Sequence, residues 1–150
     1  MLTDTLIKLF KRDLNKLKDE VRAYTNEANL WLVTEGISNS AGNLSLHLVG
    51  NLNHFIGATL GNSGYVRRRD LEFSLKNVPR SEMMRQIDET LIMIETVLPQ
   101  LSDTDLEKEY RRNPFEDYMT TEYFLVHLTT HLTYHLGQIN YHRRLLDTDN

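Results

Sequence analysis

The chain of 150 residues contains no cysteine, which excludes disulfides, thiolate zinc sites and cysteine nucleophiles. Any metal must therefore be held by nitrogen and oxygen. The lack of disulfides is also compatible with a reducing cytosol. No uninterrupted apolar stretch approaches the roughly 20 residues that a membrane span needs. The start, Met1-Leu2-Thr3-Asp4, lacks a basic segment followed by an apolar run and does not read as a signal peptide. A soluble, cytoplasmic protein without a membrane partner is expected. Net positive charge is missing as well. The formal net charge is −4, which argues against a broad surface for nucleic acid. Arg67-Arg68-Arg69 is a local exception, but it is short, and Asp70 and Glu72 follow it. There is no phosphate-binding glycine loop after a strand, and no GxSxG element for a hydrolase nucleophile. Strong strand signals, internal repeats and low-complexity tails are missing too.

What is present is helical periodicity. A composition of 40% hydrophobic and 25% charged residues suits one globular domain over residues 1–150. The first helix is predicted from about Thr3, a candidate cap, to Tyr24. Leu6, Leu9, Phe10, Leu14, Leu17 and Val21 form its stripe. A second helix runs from Asn39-Ser40 to Gly61-Asn62. Its centre is apolar nearly all round, as a buried helix requires. The third spans Pro79 to Leu98, and the fourth Thr120 or Thr121 to Leu146, with a short turn capped by Ser102 between them. About 17 residues, Asn62 to Val78, separate helices two and three. At about 3.3 Å per residue they can run the length of a 20-residue helix of about 30 Å. Helices two and three are then parallel, with helix four antiparallel to helix two. The fold class is all-α: a four-helix bundle with a long crossover between helices two and three.

All six histidines fall on the second and fourth helices, in stripes. At about 100° per residue, Asn43, His47, Asn51 and His54 share a sector of helix two. On helix four, His127, His131, His135, Gln138 and His142 align beside a row of leucines. Such a row is a polar seam in an apolar interface. Two imidazoles at i and i+4 can reach one ion at a Zn–N distance of about 2.0–2.1 Å. His127 and His135, about 12 Å apart along the axis, cannot. The chelating pair is therefore 127/131 or 131/135, with His47 or His54 as third ligand. Three neutral imidazoles leave an open position, the mark of a catalytic rather than a closed site. The competing reading is a seam of hydrogen-bonded core histidines and amides. His142, beside Arg143-Arg144, is expected in solvent.

The segment Asn43-Leu-Ser-Leu-His47-Leu-Val-Gly, with His131-Leu-Thr-Tyr-His135-Leu-Gly-Gln138-Ile139, resembles the DinB/YfiT-like superfamily. The similarity covers essentially the whole chain. It implies a four-helix bundle, often a homodimer, with His47, His131 and His135 holding one divalent ion, zinc or nickel. Some relatives use such a site to activate a low-molecular-weight thiol, such as bacillithiol or mycothiol, for transfer or isomerisation.

The leading functional expectation is a metal-dependent, thiol-dependent transferase acting on a small molecule. Hydrolysis is a related chemistry, since a bound divalent ion can lower the pKa of water to about 7. The alternative is a non-catalytic metal-binding or protein-interaction module, a stress-related dimer. His54 and His127, toward one end of the bundle, are candidates to orient the ligand rings or to carry protons. Asn51 and Gln138 join them as candidates for orienting the rings. Arg67 and Arg69 either grip a substrate carboxylate or pair with Asp70, Glu72 or Glu116 and pin the crossover. Three imidazoles suit zinc, nickel, copper or iron, so the ion itself is not identified by the sequence.

Overall fold

The computed structural model describes residues 1–148. Helix α1 (Leu2–Ala23) leads through a 3-10 turn (Glu27–Trp31) into α2 (Ala41–Leu52). A π turn (Asn53–Ala58) and α3 (Thr59–Gly61) prolong α2. Then come α4 (Arg69–Ser74), α5 (Arg80–Val97), α6 (Asp103–Glu107) and α7 (Thr121–Leu146). Among the described residues the β structure is an isolated bridge between Glu109 and Thr120.

The helices form where sequence periodicity and caps coincide. Helix α1 buries Leu6, Phe10, Leu14, Leu17 and Val21, each leucine contributing roughly 1.5–3 kcal/mol through burial. Leu9 stays half-buried at the edge of that stripe. Thr3 is not the cap: the helix starts one residue earlier, and Thr3 is buried within its first turn. Every residue of α2 is buried. Its cap is Ser40, whose Oγ accepts from the Asn43 amide at 3.1 Å and donates to Asn43 Oδ1 at 2.8 Å. Ser102 and Asp105 form a reciprocal capping box on α6, and Thr120 caps α7 through the Tyr123 amide.

Helix α1 packs on α5 and α7, and so does α2 with its π turn. Side-chain pairings give the directions. Asp13 meets Thr133, and Glu20 meets Asn140 and Arg143, so α1 and α7 are parallel. Lys11–Glu95 and Lys18–Asp88 run α1 against α5. Asn53 binds Thr90, and an added Cβ on Gly61 would strike Val97, so α2 and α5 run the same way. His47 faces His131 while Phe55 faces Phe124, which makes α7 antiparallel to α2.

The crossover between α2 and α5 contains α4, which hydropathy did not reveal. Asn43 Nδ2 donates to the Glu72 and Leu75 carbonyls at 3.0 and 2.8 Å, tying that short helix onto α2. Glu72 is thereby carried to the seam where α2 faces α7.

Candidate metal centre

His47 on α2 and His131 and His135 on α7 bring their ring nitrogens within 4.8 Å of one another. His131 Nε2 lies 3.2 Å from His47 Nε2 and 3.1 Å from His135 Nε2. Two nitrogens on one tetrahedral zinc at about 2.0–2.1 Å are about 3.3 Å apart, close to both separations. The three residues could hold a metal ion.

The outward nitrogens set the tautomers. His47 Nδ1 is 3.0 Å from Glu72 Oε1. An ionised carboxylate only accepts, so His47 carries a proton on Nδ1, and in the neutral tautomer Nε2 is bare. His135 Nδ1 donates likewise to Gln138 Oε1 at 2.7 Å. Two bare lone pairs thus face His131 Nε2. If that nitrogen is protonated, it can make a well-aligned bond to only one of them. A cation satisfies all three. Burial pushes the His131 pKa down to about 3, and the fields of His135, His47, His127 and Arg67 act in the same direction. Burial also lowers His135, against the opposing bond to Gln138. Both rings are therefore kept neutral, the form a metal requires.

Glu72 is the residue that sequence reasoning did not assign to the site. It is 6% exposed and gripped by Arg67, whose Nε reaches Oε2 at 2.9 Å and whose Nη2 reaches Oε1 at 3.0 Å. Burial alone would raise its carboxyl, yet the bonds from His47 and Arg67 and the Arg67 charge hold it below the usual carboxylate range. The carboxylate lies over the backbone of Gly50, where a Cβ would stand 1.9 Å from Glu72 Oε2. Glycine at that position is what admits it. The sequence signal was the pair Arg67 and Glu72, read only as a pin for the crossover.

The other expected residues are placed as follows. Of the two roles read for Arg67, the geometry gives the pairing with Glu72. Arg69 is exposed, its guanidinium over the Phe73 ring. His127 sits one turn from His131, with ring centroids 6.3 Å apart, and packs edge-on against Phe115. His54 lies edge-on against Phe55 within the π turn, and burial lowers its pKa, helped by the Arg67 and Arg112 charges and opposed by Glu72. Asn51 Oδ1 and His131 Nδ1 are both buried without a hydrogen-bond partner among the described residues. His142 is not in solvent. It is 6% exposed, accepts from the Tyr24 hydroxyl on Nδ1 at 2.7 Å, and donates from Nε2 to the Leu32 carbonyl at 2.9 Å.

No curated protein matches the chain. The family whose description reads "Protein of unknown function (DUF1572)" matches residues 3–150, and the chain belongs to that family.

Proposed function

We propose that this protein is a DinB/YfiT-like four-helix bundle in which His47, His131 and His135 hold one divalent ion, zinc or nickel, for thiol-dependent transfer to a small electrophile. The observation that carries the reading is the convergence of three Nε2 atoms, on two of whose rings Glu72 and Gln138 accept from Nδ1 and so free Nε2 for an ion. A divalent ion with open positions stabilises a thiolate or polarises a carbonyl. The thiol comes from a small molecule, because the chain has none of its own. In the transfer the S–H bond breaks and sulfur bonds to the electrophilic carbon. The leaving group departs with the electron pair of its broken bond.

The chain's own residues supply orientation and proton handling. Glu72 and Gln138 hold two ligand rings, and Asn51 offers a buried acceptor on the α2 face that carries His47. His127, one turn along α7, receives the thiol proton. Supplying thiol and a panel of electrophiles to the metal-loaded protein tests the reading. Thiol consumption that disappears with His131→Ala supports it. A folded, metal-loaded protein that consumes no thiol with any of them contradicts the transferase assignment.

A second reading, a non-catalytic metal-braced module, draws on the same lattice: Arg67, Glu72 and Asn43 bind the crossover to His47 and its helix. Under it, His47→Ala chiefly lowers stability. Under the transferase reading it abolishes turnover in a bundle that stays folded. The homodimer is proposed from the resemblance, with the exposed aromatics Tyr123 and Tyr134 of α7 as the contact. Light scattering on the purified chain and on Tyr134→Glu reads the oligomeric state directly.

A further inference from the structure

A cavity of about 530 Å³ begins at His135 and follows the C-terminal half of α7. That size is ordinary for a small-molecule site, for which roughly 300–1,000 Å³ is usual. One wall runs from His135 to Leu146, about 16 Å at 1.5 Å per residue. Residues 34–39, the loop leading into α2, form the other, with Leu44 between them. We infer that this cavity binds a neutral, elongated, mostly apolar molecule whose hydrogen-bond-accepting head lies at the His135 end. The inference rests on the metal-site reading and names the substrate class of that site.

Three features define the class. The body of the cavity is apolar, with Ile37, Leu44, Leu145 and Leu146 lining it. His142 adds a ring face but no hydrogen bond, because Tyr24 and the Leu32 carbonyl already occupy both its nitrogens. The charge balance is one-sided. Among the described lining residues Glu35 is charged, and no lysine or arginine accompanies it. An anionic ligand would lose its hydration with no lysine or arginine in the lining to offset it, and the ion would lie on the Nε2 side of His135, away from the Nδ1 side where Gln138 sits. A cation gains little from Glu35, which is solvent-exposed.

The head group is set by Gln138. Its Oε1 is engaged by His135 Nδ1, which orients the amide and leaves the NH2 without a partner among the described residues. A carbonyl, hydroxyl or ether oxygen on the ligand can accept from that NH2, beside the imidazole that borders the cavity. In the transfer chemistry, this is the berth of the electrophile rather than of a carboxylate-bearing thiol.

Calorimetry of the zinc-loaded full chain with 1-octanol, octylamine and octanoate, matched in length, tests the class. Octanol is expected to bind most tightly, with octanoate weaker by about tenfold or more, a difference of about 1.4 kcal/mol. Ile37→Asp and Leu145→Asp, both at exposed positions, should each weaken octanol. Octanoate binding as tightly as octanol, or octanol binding untouched by both aspartates, overturns the inference. Zinc content is measured on the same samples, so loss of the ion counts against the metal reading. Loss of octanol binding with zinc still present counts against the cavity assignment alone.

Discussion

At the scale of single residues, the site depends on one small side chain. Gly50 lies three positions after His47 on α2, and the space it leaves is filled by the Glu72 carboxylate that fixes the His47 tautomer. Gly50→Ala should push the carboxylate off His47, and Glu72→Gln should remove its charge while keeping its shape. Both are expected to weaken metal affinity by roughly 10–100-fold, the usual effect of losing a partner that orients a ligand histidine. Competition with a chromophoric chelator measures this. Unchanged affinity in Glu72→Gln would make the carboxylate only a pin for the crossover. The HxxxH pair of α7 and the single His47 were legible in the sequence because helical spacing alone aligns them. Glu72 was not legible as their neighbour. It lies 25 residues from His47, and only the folding of α4 onto α2 closes that distance.

At the scale of elements, Ser40 and Asn43 start α2 and hold α4 against it. Ser40→Ala removes a buried cap that both accepts and donates, and is expected to cost about 1–2 kcal/mol. Asn43→Ala should cost more, since it leaves the Glu72 and Leu75 carbonyls without their donor, at about 1–3 kcal/mol for each group that stays buried. Urea denaturation of both variants ranks them. An Asn43→Ala chain as stable as the natural one would mean that α4 needs no tether. The long helices were readable because period-3.6 stripes and caps are local signals. The six residues of α4 were not, since so short a helix is held by contacts with α2 rather than by its own propensity. The π turn was missed for a similar reason. Its Phe55 carbonyl accepts from the Tyr110 hydroxyl, a partner 55 residues away that no local pattern announces.

At the scale of the whole molecule, burial lowers four histidines together: His54, His131, His135 and His142. In the unfolded chain each takes up a proton near pH 6.5; in the folded chain each does so only at lower pH. Between those values the unfolded state binds more protons, so stability falls as pH drops below about 6.5. Metal-free protein should therefore unfold at lower urea at pH 5.5 than at pH 7.5, and equal midpoints would contradict the burial of these rings. His142 belongs to this set because Tyr24 and Leu32 enclose it, partners more than a hundred residues away that its basic neighbours in sequence conceal.

The central claim is that the three converging imidazoles are a metal site. Elemental analysis tests it most directly, on protein purified without a metal-affinity tag or chelator and run beside His131→Ala. About one zinc or nickel per chain is expected, absent from the variant, because three imidazoles complete one ion with an open position. A natural chain that stays metal-free after reconstitution with divalent ions, or a variant that keeps its ion, would contradict the account.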